Sequence, residues 1–207
     1  MQKRKLGSAG PEVPVICLGG NVYGWTLPEV DAFRQLDTAV DAGLNFVDTA
    51  DVYSRWVPGN KGGESETIIG KWLAKTGKRK EVILATKVGM EMGEGKKGLK
   101  ATYIRQAVED SLRRLQTDYI DIYQAHKDDP ETPLEETLEA FDGLVKQGRF
   151  GMSARRITAE HFWRRRWRRA RSMGSQATSR YSRTTTWWSA MRTRWTCCRW
   201  WRNTNWA

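Results

Sequence analysis

Along residues 1–162 short apolar runs alternate with amphipathic stretches at a regular beat. Val13 to Leu18 reads as a first strand, and the spacing of Phe33, Leu36, Ala39 and Val40 predicts a helix over 31–42. Asn45-Phe46-Val47 is strand-like again, and Ile68, Ile69, Trp72 and Leu73 predict a helix over 64–74. Val82-Ile83-Leu84-Ala85 is the third strand. Ile104, Ala107, Val108, Leu112 and Leu115 then mark a helix over 103–115. Tyr119 to Tyr123 is the fourth strand, and a helix over 133–146 follows, with proline in its first turn and Leu134, Leu138, Phe141, Leu144 and Val145 facing inward. Upstream of all this, Gly7-Ser8-Ala9-Gly10-Pro11 is a turn cluster suited to a small opening hairpin.

Short strands alternating with helices imply βαβ units around a parallel sheet, so the candidates are a doubly wound sheet and a (β/α)8 barrel of the TIM type. Gly19-Gly20-Asn21-Val22-Tyr23-Gly24 lacks the spacing of a dinucleotide-binding glycine fingerprint and no phosphate loop occurs, which lowers the doubly wound reading.

The beat stops near residue 162. From Trp163 to Ala207 there are twelve Arg, no Lys, Asp or Glu, and eight of the chain's eleven Trp. The whole-chain charge of +11 is therefore a property of this segment, because residues 1–162 carry a net charge of −1. With almost no aliphatic residue larger than alanine, 163–207 cannot build an aliphatic core. The chain is accordingly expected to divide into 1–162, the N-terminal four to five βα units of a barrel, and 163–207, a disordered tail.

Composition excludes several classes. No apolar run approaches the ~18 residues of a membrane span. The start, Met1-Gln2-Lys3-Arg4-Lys5, does not lead into a signal-type apolar region. Cys17, Cys197 and Cys198 have no metal-type spacing and close no useful loop, so neither a zinc site nor a disulfide scaffold is expected, and the compartment reads as reducing and cytoplasmic.

Three ionisable residues fall at equivalent places in successive units, each where an apolar strand run ends: Asp48, Lys87 and His126. In a parallel barrel such positions gather on the C-terminal rim, where active sites sit, and Tyr53 lies in the loop above it. Taken singly, each has an ordinary structural reading as a cap, a solvated end or a structural histidine. Trp25 and Trp56 follow the first two strands and either line a pocket or pack. The Gly/Lys-rich stretch 89–100 reads as a mobile rim loop. Asp128, Asp129, Glu131, Glu135, Glu136 and Glu139 read as a solvated loop and helix face.

These residues resemble the aldo/keto reductase family. Gly43-Leu44-Asn45-Phe46-Val47-Asp48-Thr49-Ala50-Asp51-Val52-Tyr53 looks like its first signature, completed by Gly63-Glu64-Ser65-Glu66-Thr67-Ile68-Ile69-Gly70. Ala85-Thr86-Lys87-Val88 and Asp121-Ile122-Tyr123-Gln124-Ala125-His126 resemble its lysine and histidine strands, and the likeness extends over about 3–162. The resemblance implies NADP(H)-dependent reduction of aldehyde and ketone carbonyls. In it Tyr53 supplies the proton, Lys87 stabilises the phenolate, Asp48 holds Lys87 and also borders the cofactor, and His126 orients the carbonyl oxygen. It further implies cofactor contacts at Gly20 and Asn21, whose other reading is a plain turn. Phe150-Gly151-Met152-Ser153 resembles the fifth strand, where Ser153 would hold the nicotinamide carboxamide. The family's usual Ser-Asn is here Ser153-Ala154. No metal is expected, the partner is a small carbonyl compound, and oligomeric state is left open.

The Arg/Trp segment fits a shifted reading frame. Codons permitted by residues 162–206, read one base earlier, can encode over thirty residues forming an amphipathic helix, a Gly-Leu-Pro turn and a strand similar to the family's continuation. The expectation is a reductase whose product from about Trp163 onward is out of frame, leaving this chain truncated in effect and impaired. Two other readings are nonspecific binding of nucleic acid or anionic membranes through the Arg/Trp segment, and a non-catalytic cofactor-sensing subunit.

Overall fold

The computed structural model describes residues 1–6 and 10–148. Ser153 with its predicted strand, the end of the 1–162 unit and the whole of 163–207 lie outside the described residues. The apolar run 13–18, read as one strand, is divided between two sheets. β1 (Lys3–Lys5) and β2 (Glu12–Pro14) form the antiparallel hairpin predicted by the upstream turn cluster, and the parallel sheet starts only at β3 (Leu18–Gly19). Pro14, with no N–H to donate, stands at the end of β2, where strand pairing can stop.

β3 pairs with β4 (Phe46–Asp48), β4 with β5 (Ile83–Val88) and β5 with β6 (Ile122–Ala125), all parallel and in chain order. The crossovers contain α1 (Glu29–Asp41), α2 (Glu64–Thr76) and α3 (Ala101–Leu115), and α4 (Leu134–Lys146) follows β6. A doubly wound sheet reverses its strand order at a switch point, whereas a barrel runs strictly in sequence. The order seen here is that of four successive βα units of a barrel.

Period-two alternation sorts the strand residues. Val47, Leu84, Val88 and Tyr123 face the helices and join Leu36, Ile69, Trp72, Ile104, Val108, Leu115 and Phe141 in the main core. Phe46, Ala85 and Ile122 face the other way and pack with Val13 from the hairpin in a second cluster. Asp48, two residues beyond Phe46, and Lys87, two beyond Ala85, are thereby directed to that inner face. Gly70 lets α2 approach α3 closely: a Cβ there would lie 2.1 Å from the Arg114 carbonyl oxygen. Among the described residues no helix is long and apolar enough to cross a membrane.

Candidate active site

The C-terminal strand ends converge on one cluster. Asp48 closes β4, Lys87 is the penultimate residue of β5, one place inside the strand that the sequence pattern ended before it, and His126 directly follows β6. The backbone sets their heights, since the His126 N–H donates to the Val88 carbonyl at 2.8 Å and the Asp51 N–H to the Lys87 carbonyl at 3.3 Å.

Lys87 is the hub. Its Nζ donates to Asp48 Oδ2 at 2.6 Å, to the Thr49 carbonyl at 2.8 Å and to the Tyr53 hydroxyl at 2.9 Å. The three donors of the ammonium are thus all used. The Tyr53 hydroxyl also lies 3.4 Å from Asp48 Oδ2, and the His126 ring meets the Tyr53 ring edge-on with centroids 5.8 Å apart. Burial would lower the Lys87 pKa, but Asp48 and Tyr53 outweigh it and hold the amine above its usual range, fully charged. Burial raises the Tyr53 pKa while Lys87 opposes it. The net direction for the resting phenol is upward, so the lysine offsets desolvation rather than creating a free phenolate. His126 is pushed down to about 4 by burial and then by Lys87, so its ring is neutral at pH 7, and its Nδ1 is buried without a hydrogen-bond partner.

Gly20 sits in the 3-10 turn after β3, and its carbonyl accepts the Ser65 hydroxyl at 2.7 Å. A Cβ at Gly20 would come within 2.9 Å of that hydroxyl oxygen and 3.2 Å of the Asp48 carbonyl, so packing beneath Asp48 already requires glycine. Asn21 is exposed beside it.

Other groups have no role that the hydrophobic pattern reveals, although Asp51 and Glu66 fall within the signature-like stretches. Glu66, wholly buried, accepts from Thr86 and from Arg114 Nε at 2.6 Å, tying α2 to β5 and α3. Asp51 is buried, and no side chain hydrogen-bonds its carboxylate oxygens. Burial first, and then Glu66, push its pKa up to about 7 against the pull of Arg114, Val52 N–H and Lys87. Asp129 and Glu136, expected to be merely solvated, accept the N–H groups of Leu99 and Ala101 at 2.8 and 2.9 Å and fasten the end of the rim loop and the start of α3. Only the conjunction of strand ends could be read in advance; these partners are brought together by helix packing. An open depression of about 700 Å3 between Gly77, Arg79 and Lys80 on one side and Gln116 to Tyr119 on the other lies at the other end of the strands and has none of this chemistry.

Residues 15–153 match the aldo/keto reductase family. The chain is 42% identical over 156 residues to an uncharacterized oxidoreductase, YrpG, of Bacillus subtilis, covering 72% of this chain and 47% of that protein. It is 54% identical over 93 residues to an uncharacterized 11.2 kDa protein of Pseudescherichia vulneris, covering 44% of this chain and 90% of that one. The structure matches the holo form of the aldo-keto reductase AKR11C1 from Bacillus halodurans with a TM-score of 0.62 and 41% identity, over 72% of this chain and 48% of that one. The chain thus spans about half the length of both YrpG and that structure, and the described strands belong to a TIM-barrel fold.

Proposed function

The chain belongs to the aldo/keto reductase family of oxidoreductases, and from that footing we propose that its site reduces aldehyde and ketone carbonyls to alcohols using NADP(H). The observation that carries this reading is the Lys87 ammonium hydrogen-bonded at once to Asp48 and Tyr53 beside a neutral His126.

The donor set fits the reacting end of a nicotinamide cofactor: among the described residues it offers one phenol on a cationic hydrogen bond and one neutral imidazole, with the Asp48 carboxylate paired to the Lys87 ammonium. NADPH, when bound, supplies the hydride to the carbonyl carbon. Charge then develops on the carbonyl oxygen, and Tyr53 is the acid placed to give it a proton. A phenol is a poor acid at pH 7, but its conjugate base would lie 2.9 Å from a permanent cation, which favours the charged form. Asp48 keeps Lys87 in position and neutralises it before substrate arrives. His126, neutral, can donate an N–H to the carbonyl oxygen without competing for the proton. Asp48, Gly20 and Asn21 are the residues that would hold the nicotinamide end of the cofactor, with Ser153, outside the described residues, as the carboxamide partner that the family resemblance implies.

We further propose that the Arg/Trp sequence from Trp163 onward arises from a shifted reading frame, and that reduction by this chain is impaired relative to a frame-corrected one. The test is NADPH oxidation at 340 nm with carbonyl substrates, in this chain and in the frame-corrected chain. Activity in the corrected chain that falls about 10²–10⁴-fold in Tyr53→Phe supports the reading. Activity indifferent to Tyr53→Phe refutes it.

A further inference from the structure

We propose that Ser65 is a positioning residue for the reduction: through the Thr49 hydroxyl it holds the Thr49 carbonyl as the third acceptor of the Lys87 ammonium, and so keeps the remaining N–H on Tyr53. The proposal rests on the reductase reading of the same site and adds a residue that acts on it from α2.

Two consecutive polar residues in the first turn of α2, Ser65 and Glu66, are wholly buried. Polar side chains withdrawn from water are costly unless hydrogen-bonded, so their partners show what they hold. Glu66 takes the Thr86 hydroxyl, next to Lys87 on β5. Ser65 serves the neighbouring strand. Its hydroxyl donates to the Gly20 carbonyl at 2.7 Å and lies 2.8 Å from the hydroxyl of Thr49, the residue directly after Asp48. A serine hydroxyl carries one proton. Because that proton goes to Gly20, Thr49 is the donor to Ser65, and the hydrogen bonds run from Thr49 through Ser65 to Gly20.

Thr49 in turn governs Lys87. Its N–H donates to the Ala85 carbonyl at 2.8 Å, and its own carbonyl accepts from Lys87 Nζ at 2.8 Å. With the amide held by β5 and the side chain held by Ser65, the Thr49 Cα is fixed on two sides and its carbonyl stays aimed at the ammonium. The other two acceptors are unequal. Asp48 is charged and 2.6 Å away, whereas Tyr53 offers a neutral hydroxyl at 2.9 Å. Between those two alone the ammonium gains most by turning to the carboxylate, since a hydrogen bond to a charged group is the stronger kind. A tetrahedral ammonium with one proton on Asp48 and another on a fixed carbonyl has its third proton directed to one place, and that place is the Tyr53 hydroxyl. Water does not replace the Ser65 hydroxyl if it is removed. Thr49 and Ser65 are fully buried, and packing is so close that a Cβ on Gly20 would lie 2.9 Å from Ser65 Oγ, which leaves less room than a water needs.

The experiment uses the full 207-residue chain with its lysine side chains labelled with nitrogen-15. NMR near neutral pH follows proton exchange at the ammonium groups, which is slow only where all three protons are hydrogen-bonded away from water. The Lys87 signal is identified by its loss in Lys87→Met. It should be protected in the natural chain, and its exchange should quicken about tenfold in Ser65→Ala and in Thr49→Val, with the double variant no worse than either single one because both break the same link. Thr49→Ser, which keeps the hydroxyl, should restore protection. Thr67→Val is the control, since its hydroxyl bonds the Gly63 carbonyl in the same turn and does not reach Lys87. NADPH oxidation with 4-nitrobenzaldehyde should show kcat lowered about tenfold in Ser65→Ala and Thr49→Val, with KM little changed. If Ser65→Ala loses its far-UV circular dichroism, Thr49→Val against Thr49→Ser carries the comparison.

Exchange unchanged in Ser65→Ala and Thr49→Val overturns the proposal, as does the absence of a protected Lys87 signal in the natural chain. Equal quickening in Thr67→Val also overturns it, because the effect is then a general loosening of α2. Quickened exchange in the two variants, together with carbonyl turnover indifferent to Lys87→Met, supports the positioning of Lys87 by Ser65 and overturns the reductase reading instead.

Discussion

Lys87 Nζ lies 2.6 Å from Asp48 Oδ2 across neighbouring parallel strands, a diagonal contact on the inner face, since the residue directly paired with Asp48 is Ala85. Both side chains are mostly withdrawn from water, at 12% and 26% exposure. Removing the cation therefore affects both the phenol and the carboxylate. In Lys87→Met, carbonyl reduction should fall by about 10²–10⁴, as when an acid loses the group that supports its ionisation. Stability should drop by about 1–3 kcal/mol, because Asp48 is left half-buried without its charged donor. Steady-state kinetics and urea midpoints read the two effects; full activity in Lys87→Met would contradict the assigned role.

Two buried groups should bend stability against pH in opposite senses. Asp51, about 7 when folded, keeps a proton that the unfolded chain releases near its ordinary value of 3.8, so this group makes stability fall as pH rises between about 4 and 7. His126, about 4 when folded against an ordinary 6.5, makes stability rise over about 4 to 6.5, because there the unfolded chain binds the extra proton. The slopes largely cancel in the natural chain. Asp51→Asn should expose the rise and His126→Gln the fall, each on the order of 3 kcal/mol across its window. Unfolding free energies at pH 4.5 and 7.5 check this, and parallel profiles for all three chains would count against both assignments.

His126 can also be observed directly. Its ring should remain neutral, so the Cε1 proton resonance should not move between pH 5.5 and 8. A midpoint near 6.5 would mean that the ring is neither buried nor felt by Lys87.

Gly70→Ala should separate α2 from α3, because the added Cβ meets backbone at 2.1 Å rather than a side chain that could swing away. The expected loss is about 2–3 kcal/mol, typical of overpacking and opposite in sign to the gain that alanine brings to an exposed helix. A thermal melt of the variant is sufficient, and an unchanged midpoint would refute the close approach.

The origin of the Arg/Trp segment is open to direct reading. Sequencing the gene across the codons for residues 151–182 should reveal one base gained or lost relative to a frame that continues the reductase pattern. An intact frame with no such alternative would remove the frameshift proposal.

The four helices, the parallel sheet and the places of Asp48, Tyr53, Lys87 and His126 follow from the chain's own order. Periods of 3.6 and 2 are local, and sequential βα units carry equivalent strand ends to one rim. Two local readings were altered by geometry. The run 13–18 has the apolarity of one strand, but pairing partners and Pro14 divide it between a hairpin and the sheet. Lys87 stands one residue inside β5 because hydrogen bonding to β6 continues past the apolar run.

What sequence could not supply is every relationship that depends on which elements come to lie side by side. Asn60 reaches Gly24 across 36 positions and Arg114 reaches Glu66 across 48, and nothing at either end of such a pair marks the other. The ionisation of Asp51 and His126 belongs to the same class. Residue type fixes only the ordinary pKa, while desolvation and the field of Lys87, Glu66 and Arg114 exist only after helices and strands have packed. The sequence by itself therefore determined which groups stand at the rim; the tertiary structure decided their charge and their hydrogen bonds, because those depend on distance through space and not along the chain.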